Sequence, residues 1–177
     1  MSEPQRAAAN KALLMRLADH VGDVARELIA IYSPIRHEPQ IEPLARLWAG
    51  QGAGLALPVV DAEAQPLRFV RWRHGDPLMP GAYGIARPVQ DETVRPTLLV
   101  IPCLGFDRRA YRLGYGGGFY DRTIAALLAE SGRPIRTVGA AWDDALIDDF
   151  VPLPTDLPLD AVITPSAVVA ARARDAS

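Results

Sequence analysis

Lysine and cysteine are almost missing from this chain, with Lys11 and Cys103 each alone of its kind among 177 residues. A single thiol excludes an internal disulfide and fits a reducing compartment. Arginine carries nearly all the positive charge, and the formal net charge is only −2. That balance argues against bulk nucleic-acid binding or a charged hold on a membrane surface. No apolar run approaches the length of a spanning helix, and the first residues lack the pattern of a signal peptide. A cytoplasmic protein is therefore expected. His20, His37 and His74 have no metal-ligand spacing, and none is assigned a role. Internal repeats and domain linkers are also absent. The length fits one domain spanning 1–177, and the hydrophobic content of 49% suits a globular chain.

The most informative stretch runs from Gly105 to Asp121 and Arg122. An apolar run, Thr97 to Pro102, precedes it and reads as a buried strand. Thr123 to Glu130 follows and reads as a helix ended by Ser131-Gly132. Strand, glycine-rich turn and helix together bring backbone N–H groups and a helix N-terminus to an anion. Gly114, Gly116, Gly117 and Gly118 let a ligand touch the backbone. Arg112 offers a planar, permanently charged fork to phosphate oxygens. Asp121 is a hard oxygen ligand of the kind Mg²⁺ uses when it also bridges nucleotide phosphates. Tyr115, Phe119 and Tyr120 add flat surfaces for a fused heterocycle. The stretch has neither the Lys-Ser/Thr ending of a P-loop nor the spacing of a dinucleotide fingerprint.

Around it, strands alternate with helices. Residues 5–32 read as amphipathic helix, with Leu13, Leu14, Leu17, Val21, Val24 and Leu28 in helical spacing, running into a first strand over 28–32. Residues 42–50 read as a helix with Leu44, Leu47 and Trp48 on one face. Further strands are expected over 55–60, 67–72, 137–142 and 160–164. The proline- and glycine-rich stretch 75–96 has little periodicity, and residues 83–88 within it read as a surface connection that could wall a pocket. Residues 172 onward read as a fraying tail, and Asp143, Asp144, Asp148 and Asp149 as a solvated face. The alternation predicts an α/β layer fold with a largely parallel sheet.

Phe106 to Asp121 resembles the signature of the 5-formyltetrahydrofolate cyclo-ligase (methenyltetrahydrofolate synthetase) family, a Phe-Asp-x-x-Gly-x-Arg-Leu-Gly-x-Gly-x-Gly-Tyr-Tyr-Asp pattern. Ala110 replaces a glycine of that pattern and Phe119 a tyrosine. The likeness extends through Tyr32-Ser33-Pro34 with Glu38, Leu57-Pro58-Val59, Phe69 with Trp72, Gly84-Ile85 with Pro88, and Leu159 to Thr164. It implies a three-layer α/β/α fold, similar to that of sugar-phosphate isomerases and CoA transferases. It also implies ATP- and Mg²⁺-dependent ring closure of 5-formyltetrahydrofolate to 5,10-methenyltetrahydrofolate through a phosphorylated formyl group. No nucleic-acid or membrane partner is implied, and a monomer is expected.

By that resemblance, Arg112, Leu113, Gly114, Tyr115, Gly116, Gly117, Gly118, Phe119 and Tyr120 would hold ATP, with Arg112 and Tyr120 catalytic. Tyr115 to Phe119, Glu38 and Tyr83 would face the folate, and Asp121 with Asp156 would bind Mg²⁺. Taken without the family, Glu38 reads as a solvated loop acid, Asp156 as a turn residue, Tyr83 as a packed loop aromatic and Cys103 as a small core residue. The helical segment 1–27 is shorter than is usual in the family, and Lys11 and Arg16 do not fall at its usual cation positions. Ala145 stands where relatives often carry glutamine. Two alternatives follow: a folate- or nucleotide-binding relative with impaired turnover, and a sugar-phosphate isomerase. The latter is disfavoured because no base-plus-lysine arrangement is present.

Overall fold

The computed structural model describes residues 2–130 and 134–171. The expected helix stop at Ser131-Gly132 and the expected frayed tail from residue 172 lie outside the described residues. Three helices, α1 (Glu3–Val21), α2 (Glu42–Gly50) and α3 (Phe119–Ala129), are described. The strands in chain order are β1 (Leu28–Ala30), β2 (Gly54–Val59), β3 (Arg68–Trp72), β4 (Leu78–Met79), β5 (Arg87–Pro88) and β6 (Leu98–Pro102). They continue with β7 (Gly105–Phe106), β8 (Arg112–Leu113), β9 (Arg136–Ala140), β10 (Ala161–Ile163) and β11 (Val168–Ala170).

The main sheet has seven strands in the order β11-β10-β9-β6-β1-β2-β3. Its inner pairings are parallel, whereas β3 and β11 run antiparallel at the two edges. Alternate residues of each strand enter opposite layers, as the pleat requires. Ile29, Leu55, Leu57, Leu98, Val100 and Ile163 meet Leu13 and Leu17 of α1 and Leu44 and Trp48 of α2 in one core. Ala30, Ala56, Leu99, Ile101 and Val162 meet Ile124 and Leu127 of α3 in the other. The result is three layers, α/β/α, with a largely parallel sheet between them. No described helix is long and apolar enough to cross a membrane.

Several boundaries differ from expectation for local reasons. Helix α1 stops at Val21 because Gly22 leaves helical geometry at φ 76°. Val24 and Leu28 continue the apolar spacing, but Val24 is buried in the connection and Leu28 opens β1. On α2, Leu44 and Trp48 face the core while Leu47 turns outward and is 51% exposed. Residues 75–96 contain a short antiparallel pair, β4 with β5, and a turn at Ala82–Gly84. Helix α3 begins four residues before the expected start at Thr123. Its N-cap is Gly118 in left-handed geometry, φ 62°, a conformation glycine adopts without steric cost. Phe119, Tyr120 and Asp121 are therefore first-turn helix residues rather than loop residues.

Ala110, at the family's glycine position, has φ 65° and is fully buried. A left-handed alanine costs roughly 1–2 kcal/mol, and neighbouring contacts hold it there. The Asp107 carboxylate accepts the N–H groups of Arg109 and Tyr111, both at 2.9 Å, and the Ala110 N–H reaches the Asp107 carbonyl. This buried acid closes the β7–β8 hairpin. It is a structural member of the motif.

Candidate functional site

The chain runs from β1 outward to β2 and β3, then crosses back to lay β6 against the other side of β1. The strand order thus reverses between β1 and β6. Open α/β sheets bind ligands in the crevice outside the carboxyl ends of the strands at such a point. Two loops leave there: residues 31–41 after β1, carrying Glu38, and residues 103–118 after β6, ending in the glycines.

The two loops touch. The Glu38 carboxylate and the Tyr115 hydroxyl lie close enough to shift each other's proton affinity, and the Arg36 guanidinium sits 5.0 Å from the centre of the Tyr115 ring. Arg36 is held at φ 53°, a costly geometry that persists only where surroundings enforce it. The Tyr32 hydroxyl donates to the Pro39 carbonyl at 2.8 Å, and the Ile35 N–H donates to Glu38 Oε2 at 2.9 Å, fixing the first loop. Glu38 is 7% exposed, so its family-independent reading as a solvated acid is overturned. Arg36 gave no signal in the sequence, because its partner ring lies far along the chain.

Arg112 and Asp121 form an ion pair, Nη2 to Oδ2 at 2.7 Å, with side chains 7% and 16% exposed. The Arg112 guanidinium also lies 5.2 Å from the Tyr120 ring centre. It passes so close beneath the loop that a Cβ on Gly114 would come within 2.7 Å of Nη1. Its Nε is buried without a partner. Arg122, a residue the sequence reading left without a role, donates from Nη2 to the Gly117 carbonyl at 2.6 Å. It clips the glycine turn to α3. Tyr83, at φ 57°, sets its ring edge-on to Phe119, centres 5.8 Å apart, and is largely exposed.

Asp121 Oδ1 accepts the Leu157 N–H at 3.4 Å, which brings the 153–157 loop beside the first turn of α3. The Asp156 carboxylate itself accepts the Leu153 N–H at 2.8 Å and closes its own turn. Among the described residues, no group of three or more His, Cys, Asp or Glu side chains could cage a metal ion. Mg²⁺ needs no such cage when phosphates supply ligands.

Burial pushes the Cys103 thiol up to about 12, which makes it an inert core residue. Burial likewise raises the Tyr120 phenol, leaving it a donor and not a base. Glu38 is raised above the ordinary carboxylate range by burial, against opposing pulls from the Ile35 N–H, the Tyr115 hydroxyl and Arg36. A raised folded pKa means that the folded chain holds the proton more tightly. Its stabilising contribution is full at acid pH and is lost as pH climbs through the folded value. Glu38→Gln is therefore expected to be more stable than the parent at neutral pH, the difference fading toward about pH 4. Urea midpoints across pH measure this, and equal midpoints at neutral pH would show that the carboxylate carries no burial cost.

Fold and loops define an α/β enzyme of the open, mostly parallel type, with two chemistry-bearing loops meeting at the strand-order reversal. Over residues 1–165 the sequence matches the 5-formyltetrahydrofolate cyclo-ligase family, and the chain belongs to that family. It is 32% identical over 152 residues to the 5-formyltetrahydrofolate cyclo-ligase of Escherichia coli K12, covering 82% of this chain and 81% of that one. With the cyclo-ligase of Mycolicibacterium smegmatis it shares 29% over 157 residues, 84% and 78% of the two chains. The solution structure of Aquifex aeolicus 5,10-methenyltetrahydrofolate synthetase superposes with a TM-score of 0.78 at 27% identity, covering all of this chain and 88% of that one.

Proposed function

We propose that the chain converts 5-formyltetrahydrofolate to 5,10-methenyltetrahydrofolate with consumption of ATP and a requirement for Mg²⁺. The observation that carries the reading is the meeting of Glu38 with the glycine loop at the β1–β6 switch point, in a member of this family.

The formyl oxygen is a poor leaving group. It attacks the γ-phosphorus of ATP, the bond to ADP breaks, and the formyl carbon becomes an electrophilic iminium carbon bearing phosphate. N10 attacks that carbon, loses its proton, and phosphate departs. Positioning and charge neutralisation supply most of the catalysis in phosphoryl transfer. In this chain, Gly114 to Tyr120 would cradle the phosphates, with Leu113 and Arg112 beneath them. The unpartnered Nε of Arg112 and the N-terminus of α3 both favour an anion there. The Tyr120 phenol would donate and not accept a proton. Glu38 would accept paired hydrogen bonds from the aminopyrimidine edge of the pterin, with Tyr115 and Tyr83 bounding the ring.

Asp121 fits Mg²⁺ as a hard oxygen ligand in the first turn of a helix. Asp156 fits as its partner only if its carboxylate trades the Leu153 N–H for the ion. Mg²⁺ would supply neutralisation of the phosphate oxygens.

The test is to follow methenyltetrahydrofolate by absorbance after mixing the purified chain with 5-formyltetrahydrofolate, with and without ATP and Mg²⁺. Product that requires both is expected. No product together with measurable folate or ATP binding would make the chain a binding relative.

A further inference from the structure

Arg122 closes the glycine stretch without a part in the phosphate chemistry. It sits at the end of the first turn of α3, one turn past the Gly118 cap. A cation there works against the helix dipole, whose N-terminal end is positive. The guanidinium nevertheless bends back toward that end. Its Nη2 donates to the Gly117 carbonyl at 2.6 Å, and a Cβ on Gly118 would come within 2.8 Å of Nη1. The guanidinium carbon lies 5.3 Å from the centre of the Phe119 ring, and Nε is buried without a partner. Arg112 pairs with a carboxylate, whereas Arg122 donates to a neutral backbone oxygen. Helix electrostatics disfavour that placement, so the contact to Gly117 is what holds it.

The contact dictates which way the N–H groups of the turn face. In a trans peptide the C=O and the following N–H point in opposite directions. With the Gly117 carbonyl drawn in toward α3, the Gly118 N–H faces out. The Gly118 carbonyl accepts the Arg122 N–H at 3.2 Å, which by the same rule turns the Phe119 N–H off the end of the helix. Gly118 is left-handed and no side chain caps α3, so these N–H groups are left to an outside partner. Successive outward N–H groups in a turn form an anion-binding concavity.

We infer that Arg122 is a positioning residue: through the Gly117 carbonyl it locks the 117–118 peptide in the orientation that presents the Gly118 N–H to phosphate. The inference rests on the proposed ATP-dependent activity. With glycine on both sides, that peptide has no Cβ beside it to bar a flip. A flipped peptide would turn a carbonyl oxygen toward the anion in place of a donor. Apparent affinity then falls by the fraction of molecules left in the competent orientation.

Residual dipolar couplings of the Gly118 N–H, measured on the isotope-labelled chain, read the orientation of the peptide. Titration with inorganic tripolyphosphate reads the concavity without turnover. Arg122 is half-buried and its partner is a single carbonyl, so its loss should act locally. In Arg122→Met the Gly118 coupling should shrink by averaging, while those of Ile124 and Leu127 on α3 keep their parent values. Tripolyphosphate should bind about 5- to 10-fold more weakly, the competent fraction falling to about a fifth or a tenth. Arg122→Lys, which keeps a long cationic donor, should restore both. In turnover the ATP KM should rise more than kcat falls, because saturating ATP itself selects the productive orientation. Weaker binding with an unmoved Gly118 coupling would mean that the guanidinium touches phosphate itself, and overturns the positioning role. Parent-like coupling and affinity in Arg122→Met overturn it too, while leaving ATP use standing. A parent that binds neither tripolyphosphate nor ATP sinks both.

Discussion

Arg112→Met should raise the ATP KM by at least about tenfold, the loss of a charge-assisted, bidentate phosphate contact. It should also cost about 2–4 kcal/mol of stability, because removing one partner of a sparsely solvated pair strands the other. The stability loss follows from the 2.7 Å contact to Asp121 and the 7% and 16% exposure of the two side chains. The Leu157 N–H near Asp121 Oδ1 softens it. Arg112→Lys separates the two effects. A lysine restores charge beside Asp121 and with it most of the stability, but not the planar fork, so the KM should stay high. Urea midpoints and ATP saturation curves on both variants measure this. A folded Arg112→Met chain with the parent's ATP KM would remove Arg112 from the phosphate site.

The second large effect is expected at Asp121. Asp121→Asn keeps an oxygen that can accept from Arg112, so the stability loss should stay near 1–2 kcal/mol, about that of weakening one charge-assisted hydrogen bond. Turnover should fall by about 10²-fold or more, the usual scale for losing a group that meets developing charge. Its dependence on Mg²⁺ should flatten. Titrating Mg²⁺ against rate tests this directly. Parent-like turnover and an unchanged Mg²⁺ midpoint would leave Asp121 as a structural partner of Arg112 and nothing more. The ion pair gives this experiment its interest, because in the structure the proposed phosphate anchor and the proposed metal ligand neutralise each other. Phosphate and Mg²⁺ arriving together would let the two charges part without leaving either bare.

The layers were legible in the sequence where burial is simple. Leu98 to Pro102, Glu42 to Gly50 and Ala161 to Ile163 lie where apolar runs and helical spacing place them. The start of α3 was not, because its cap is a left-handed glycine rather than a serine or aspartate, and aromatic residues give little helix signal. Strands β7, β8 and β11, two or three residues long, carry no periodicity to read. The motif was legible as a motif because its residues are consecutive. Its internal division of labour was not. Asp107 and Asp121 look alike in sequence and each meets an arginine, yet Asp107 also takes two backbone N–H groups that close a hairpin, whereas Asp121 sits in the first turn of α3. The contacts of Glu38 and Arg36 with Tyr115 join distant segments, and only the sheet order brings them together.

That same sheet order has a consequence during synthesis. Strand β1 pairs with β2 on one side and β6 on the other. A ribosome delivers β1, β2 and β3 well before residues 98–102 exist. Throughout that interval one edge of β1 offers unpaired backbone groups to any neighbouring chain, the hazard common to open strand edges and incomplete folds. Thr97 ends the interval: its N–H donates to the Leu28 carbonyl and its hydroxyl oxygen accepts the Leu28 N–H. The glycine loop emerges directly behind. The open edge of a nascent chain thus passes from β1 to β6, which waits for β9, at nearly the moment the glycine loop of the candidate site emerges.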